Sequence, residues 1–319
     1  MAEKIDDAKY LGLDIGGSNL KYGIVNARGN VVMQAGVSTK MSKGRDYVLG
    51  TVSGIIEQMK RKNQLAGIGI GIGGIVDHGI IHQSPNLPGW SEVSFADVLA
   101  PCGVPVFVEN DANIAALFEM KQGICSDSEN FIFVNLGTSV SSAIVMNGKI
   151  WHGMHGGAGN LGHIVLDMNE IIPEKVPAWK SGVLENYVGK NNIAHNAAGI
   201  LRHFPNSILR KYDKLDPYFI SMGVGQGDKC AIKIFRNVGI AIGTGIATMM
   251  NLLDIPLVVF GGGLAMAHQI LFQVAMNTVR ERTLPVIARD VEFRYSRNTK
   301  DAGVIGAAMM AKAGVENEF

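Results

Sequence analysis

The stretch Leu11-Gly12-Leu13-Asp14-Ile15-Gly16-Gly17-Ser18-Asn19-Leu20-Lys21 decides the fold. An apolar strand, Tyr10 to Ile15, carries a carboxylate near its end and runs into two glycines and a hydroxyl. It returns as a second strand, Leu20 to Asn26. Arg28-Gly29-Asn30 turns the chain again into a third, Val31 to Gly36, so this segment is a meander of hairpins. The same order recurs at Phe131 to Leu136, the turn Gly137-Thr138-Ser139, Ser141 to Met146, the turn Asn147-Gly148-Lys149 and the return at Ile150-Trp151. The recurrence reads as an internal duplication, with one domain at 1–122 plus 304–319 and a larger one at 123–303.

Around these meanders the apolar spacing predicts helices at Asp46–Lys62, Asn113–Lys121, Asp228–Asn251, Ala267–Thr283 and Gly303–Ala313. Further strands are expected at Leu65–Ile72, Val104–Glu109, Leu257–Phe260 and Val291–Tyr295. Strands alternating with helices indicate an α/β fold. An apolar fraction of 47% against 18% charged residues excludes a disordered chain. A net charge of +1 gives no electrostatic reason for a nucleic-acid or membrane partner. Cys102, Cys125 and Cys230 are scattered, which argues against a cysteine-rich zinc site and suits a reducing cytoplasm. The polar start, Met1 to Lys9, lacks the apolar core of a secretory signal. No run approaches the roughly 20 apolar residues that span a bilayer.

Several stretches carry polar groups where chemistry is done. The Gly16-Gly17-Ser18 turn can offer backbone N–H groups to phosphate oxygens, and Asp14 can take Mg²⁺ directly or through water. Alternatively the glycines only close a tight hairpin. In Val108-Glu109-Asn110-Asp111-Ala112-Asn113, a strand ends in polar residues ahead of a helix. Asp111 can accept the proton of an attacking hydroxyl and Asn110 can hold a second hydroxyl; equally, Asp111 can be the helix N-cap. Gly137-Thr138-Ser139 mirrors the first glycine turn, and Gly261-Gly262-Gly263 leaves room for a flat base or ribose. Gly156 to His163 presents Asn160 and His163, and Ser84 to Trp90 presents Asn86. The chain has no GxxxxGK[ST] phosphate loop. It also lacks a GxGxxG after the first strand with an acidic residue about 20 positions on, which excludes a nicotinamide-dependent oxidoreductase.

Taken in order, these motifs resemble the ROK family of sugar kinases and related repressors, within the actin/hexokinase-like ATPase superfamily, from about Tyr10 to Ala313. The resemblance implies duplicated ribonuclease H-like domains with a nucleotide and sugar cleft between them, and ATP with Mg²⁺ as cofactors. It makes Asp111 the general base. It assigns Asp14, Gly16, Gly17, Ser18, Asn19, Lys21, Gly137, Thr138 and Ser139 to the phosphates, and Gly261, Gly262 and Gly263 to the adenosine. It assigns Gly74, Asn86, Asn110, Asn160, His163 and Glu185 to a small sugar-like substrate, and implies a cytoplasmic homodimer.

Three departures shape the expectation. The family's zinc loop has no cysteine in the corresponding Ala178–Glu185, so no zinc is expected, and Trp179, Val183 and Leu184 should order the loop by packing. Asn160 stands where the family has a sugar-contacting glutamate, which points away from plain glucose toward another hexose, an amino or N-acetyl sugar, or a cyclitol. Thr138-Ser139-Val140-Ser141-Ser142 replaces a glycine-rich continuation. Its serines can supplement the phosphate contacts or crowd them, which leaves a non-catalytic sugar-binding or sensing member as the second reading. Repressors of the family carry a DNA-reading domain ahead of the first phosphate motif. Asp14 lies too near residue 1 for one, so no nucleic-acid partner is expected.

Overall fold

The computed structural model describes residues 8–84, 89–170, 176–297 and 300–317. In chain order the strands and helices begin with β1 (Lys9–Ile15), β2 (Asn19–Asn26), β3 (Val31–Ser38), α1 (Arg45–Lys62) and β4 (Leu65–Ile72). They continue with β5 (Ile75–Asp77), β6 (Ile80–Gln83), β7 (Val93–Ser94), α2 (Phe95–Leu99), β8 (Val106–Asn110) and α3 (Asp111–Lys121). Next come β9 (Phe131–Leu136), β10 (Val140–Met146), β11 (Lys149–Ile150), α4 (Glu185–Val188), α5 (Lys190–Leu201) and α6 (Pro217–Gly225). The last are α7 (Lys229–Leu253), β12 (Leu257–Gly261), α8 (Ile270–Arg282), α9 (Pro285–Ala288), β13 (Glu292–Tyr295) and α10 (Ala302–Val315).

Two five-stranded sheets follow one plan, with orders β3-β2-β1-β4-β8 and β11-β10-β9-β12-β13. In the first, β1 and β2 pair antiparallel while β4 and β8 add in parallel. In the second, β10 and β11 pair antiparallel while β12 lies parallel to β9 and β13. The repeated meander is therefore a repeated sheet.

The chain divides into two compact units. One takes the described residues up to Glu129, Ile144–Ala158 and those from Arg297 onward; the other takes Asn130–Ala143 and Gly159–Ser296.

In the first unit, alternation along β1 sorts side chains onto two faces. Leu11, Leu13 and Ile15 join Val48, Val52 and Ile56 of α1 in one core. Tyr10, Gly12 and Asp14 turn the other way, where Tyr10 packs with Val304 and Ala308 of α10. The strand β4, Leu65-Ala66-Gly67-Ile68-Gly69-Ile70-Gly71-Ile72, sends its isoleucines into the α1 core and its glycines toward α10 and α3. These glycines are a steric requirement. A Cβ on Gly12 would sit 2.0 Å from the Val304 carbonyl oxygen, and one on Gly69 would sit 1.8 Å from that of Ala307. The backbone of α10 thus lies directly on the sheet.

In the second unit, α7 is the central helix, capped by Asp228, whose side chain accepts from the Ala231 N–H. By length and composition α7 could cross a membrane, but 67% of its apolar window is buried within the protein, as befits a core helix.

Most expected elements form within a few residues of their anticipated bounds, with exceptions. Trp151 lies beyond β11. The helix expected from Ala267 starts at Ile270, after a 3₁₀ turn over Gly263–Met266. The small sheet β5-β6-β7 and the short helices α4 to α6 were not anticipated.

Gly69→Ala should cost about 2–4 kcal/mol in urea unfolding because backbone must move to admit the methyl. Gly50→Ala, inside α1 with no atom within 4 Å of the new methyl, should hold or gain up to about 1 kcal/mol. Equal effects would refute the glycine seam.

Candidate active site

Asp14 is the penultimate residue of β1, opposite Lys21 of β2, so the pairing register places a carboxylate beside an ammonium. Lys21 Nζ also donates to the Lys300 carbonyl at 3.0 Å. The intervening turn is closed by the Gly16 N–H donating to Asn19 O at 3.0 Å. Thr39 braces it, through Oγ1 to Gly16 O at 2.7 Å and through N–H to Ser18 O at 3.0 Å. Gly17, Ser18 and Asn19 are exposed, and nothing lies within 4 Å of a Cβ built on Gly17. The turn thus presents an open, rigid backbone edge. On its other side, Asp14 lies against the first turn of α10, where a Cβ on Gly303 would meet its Oδ2 at 2.5 Å.

Asp111 opens α3, but it is not the cap. Asn110 is: its Oδ1 accepts from the N–H groups of Ala112 at 2.8 Å and Asn113 at 3.3 Å. Its Nδ2 donates to the Gly74 carbonyl at 2.8 Å, fixing the Gly73-Gly74 turn beside the helix start. Ser84 Oγ holds the same turn through Gly73 O at 2.8 Å. Asn86 lies outside the described residues. Asp111 Oδ1 accepts from the Ala112 N–H at 2.8 Å, while its Oδ2 is 3.8 Å from a Cβ built on Gly73. Burial, and secondly the negative charge of Asp14, push the Asp111 carboxyl up to about 6. Burial also raises Asp14, against the pull of Lys21. The first unit therefore brings Asp14 and Asp111 within electrostatic reach of each other.

Glu109 ties this junction together. Its Oε1 accepts from the Asn110 N–H at 2.6 Å and from Asn113 Nδ2 at 2.9 Å, and its Oε2 pairs with His152 Nε2 at 2.6 Å. The bond to Glu109 raises the His152 pKa. Thr39, Gly303 and His152 were missed by sequence reasoning. No local pattern marks them, because each acts on a residue distant in the chain.

In the second unit, the Gly137 N–H donates to Ser139 O at 3.0 Å, and the N–H of Lys190, which opens α5, donates to Gly137 O at 3.3 Å. Thr138 is exposed and Ser139 half-buried. The neighbouring serines have other duties: Ser141 Oγ accepts from Asn135 Nδ2 at 3.4 Å and Ser142 Oγ donates to Gly159 O at 2.6 Å. Gly262, at φ 86°, lies on this turn, where a Cβ would meet Leu136 O at 2.4 Å. Gly261 fits only because no side chain opposes the Phe133 ring, and Gly263 is open. The two glycine motifs thus adjoin one another.

Glu185 Oε2 accepts from the Val140 N–H at 3.2 Å and flanks Gly162. His163 stands 5.5 Å from the Trp179 ring, and its Nδ1 is buried without a hydrogen-bond partner among the described residues. Val183 and Leu184 are buried. Asn160 opens the 3₁₀ turn that carries His163. Among the described residues no three His, Cys, Asp or Glu side chains gather as a metal site.

The model of the ROK family matches residues 10–314. The chain belongs to the ROK family. A glucokinase of Halalkalibacterium halodurans is 31% identical over 97% of this chain and 96% of its own length. An N-acetylmannosamine kinase of Yersinia pseudotuberculosis is 26% identical, covering 96% and 99%. The fold matches that of a ROK family glucokinase from Streptomyces griseus, solved with glucose and AMPPNP, at a TM-score of 0.82 and 24% identity over 96% of this chain and all of that one. The architecture is thus the two-domain, actin-like ATPase fold.

The raised Asp111 pKa fixes a sign. Ionised Asp111 costs stability above about pH 6, and the cost vanishes once pH falls below the ordinary value of 3.8. Asp111→Asn should therefore stabilise the protein at pH 8, by about 1–3 kcal/mol, with the gain fading toward pH 4 in thermal melts.

Proposed function

We propose that this ATP-dependent carbohydrate kinase transfers the γ-phosphoryl group to a hydroxyl of a sugar-like substrate other than plain glucose, with Asp111 as general base. The supporting observation is the state of Asp111. It is a half-buried carboxyl at a helix start, oriented by the backbone, with a pKa of about 6. That value makes it a better proton acceptor than an ordinary aspartate while leaving it ionised near neutrality. One oxygen is occupied by the Ala112 N–H, so Oδ2 is the oxygen that takes the proton.

As the acceptor oxygen bonds to the γ-phosphorus, its proton passes to Asp111, and the bond to the β,γ-bridging oxygen breaks to release ADP. Such transfers depend on positioning and charge neutralisation. The open backbone edge at Gly16, Gly17, Ser18 and Asn19, together with Lys21, serves phosphate oxygens, as does the turn at Gly137, Thr138 and Ser139. Gly261, Gly262 and Gly263 serve the adenosine. Mg²⁺ fits the mutually repelling Asp14 and Asp111, with Asp14 holding it directly or through water, and when bound it neutralises phosphate charge.

For the sugar we assign Gly74, Asn110, Asn160, His163 and Glu185. Asn110 has its oxygen and one N–H already committed, so it serves as a donor through the remaining N–H. Cytoplasmic location and homodimeric assembly belong to the same reading.

Coupled ADP release over a panel of hexoses, amino and N-acetyl sugars and cyclitols tests the reading. Calorimetric sugar binding without ADP release would favour a binding protein instead. Asp111→Asn should keep calorimetric sugar binding and lose about 10²–10⁴-fold in kcat. In the wild type, kcat/KM should fall below about pH 6. Near-normal turnover in the variant would refute the base. Asn160→Glu should raise kcat/KM for glucose about tenfold or more, by restoring a charge-assisted hydrogen bond.

A further inference from the structure

Segment 159–162 of the second unit lies flat on β10. A Cβ on Gly162 would sit 2.4 Å from the Val140 carbonyl oxygen, and one on Gly159 would sit 2.4 Å from that of Ser142. Val140 and Ser142 are two positions apart, so they share one face of the strand, and Ser141 belongs to the other. Gly159 has φ 80°, a conformation that an L side chain would strain.

Asn160 is at the tip of this turn. Its φ of −75° and ψ of 60° are those of an inverse γ-turn, closed by the Leu161 N–H donating to Gly159 O at 2.8 Å. The same oxygen accepts from the Ser142 N–H at 3.1 Å and from Ser142 Oγ at 2.6 Å. Three donors thus converge on the carbonyl that precedes Asn160, and the side-chain bond is the shortest of them. Ser142 is 3% exposed, and its Oγ lies 3.7 Å from Met249 Sδ of α7. A hydroxyl carries one proton, and here the buried Ser142 directs it to the turn.

We propose that Ser142 is a positioning residue for substrate discrimination: its hydroxyl fixes the peptide from which Asn160 meets the sugar-like substrate. The inference rests on the assignment of Asn160 to that substrate. It divides the serine run between two tasks. Ser141 accepts from Asn135 Nδ2, and Asn135 Oδ1 lies 2.5 Å from a Cβ built on Gly262, in the motif assigned to adenosine. Ser142, on the opposite face, serves the turn of Asn160. Rotation of the Gly159–Asn160 peptide would swing the Asn160 amide, and hydrogen bonds weaken steeply as they leave their preferred direction. Loss of the Ser142 hydroxyl therefore blurs the choice of sugar and leaves the nucleotide untouched.

Coupled ADP release tests this on glucose and on the panel sugar with the highest kcat/KM. The variants are Ser142→Ala, Ser141→Ala, Asn160→Ala, Asn160→Glu and the double variant Ser142→Ala with Asn160→Glu. Ser142→Ala should raise KM for the preferred sugar about three- to tenfold with KM for ATP unchanged. It should narrow the kcat/KM advantage of that sugar over glucose by a similar factor. Ser141→Ala should leave the sugar KM unchanged. The gain of Asn160→Glu on glucose should shrink to about threefold or less in the Ser142→Ala background, because neighbouring residues couple. Calorimetric Kd for the same two sugars reads the same contrast without turnover. Sugar and ATP KM rising together, or additive effects in the double variant, would overturn the proposal. So would a raised sugar KM in Asn160→Ala beside an unchanged one in Ser142→Ala. An unchanged sugar KM in Asn160→Ala would instead remove Asn160 from the substrate site, and the inference with it.

Discussion

The approach of α10 to the first sheet is the constraint on which the first unit depends. Two carbonyl oxygens of that helix occupy the space where side chains of Gly12 and Gly69 would be. Because the backbones touch, the helix is held by sterics as well as by apolar burial. Its first turn then lies against Asp14, and an N-terminus with its unpaired N–H groups is a favourable neighbour for a carboxylate. The same seam covers the face of β4 that would otherwise bury side chains. Thus one alternating Ile-Gly pattern serves two cores, with isoleucines packing α1 and glycines admitting α10.

The electrostatics follow from that packing. Burial removes water from Asp14 and Asp111, and each carboxylate loses the solvent that would screen the other. An isolated pair of this kind would be a liability. Lys21, one pairing position across the hairpin, offsets part of it. The remainder is an unbalanced negative charge at the place where polyanionic phosphates and their cation are proposed to bind.

Much of this was legible in the sequence. The two meanders, their glycine turns and the helix after Glu109 are written in local periodicity and turn chemistry, and these are short-range properties. The identity of the cap was not legible. Asp and Asn are equally good caps, and only the structure shows Asn110 in that role, which frees Asp111 from it. The strands β5, β6 and β7 are only two to four residues long, too short for a period to declare itself. Thr39, Gly303 and His152 were invisible for another reason: each earns its place through a partner 23 or more positions away. The helices α4 and α6 run only four and nine residues, too short for a helical period to stand out. Of the candidate site, the glycines and Asp111 could be found by motif, whereas the bracing around them could not.

The surroundings of Asp111 are mostly main chain: the Ala112 N–H, the Gly73-Gly74 turn and a cap that grips that turn by its carbonyl. Main-chain atoms are the same whatever residue carries them. A carboxylate oriented in this way is insulated from drift in the neighbouring sequence, provided that the turn and the cap persist. The proposed base can then be inherited almost intact, while side-chain positions such as Asn160, proposed to face the substrate, vary.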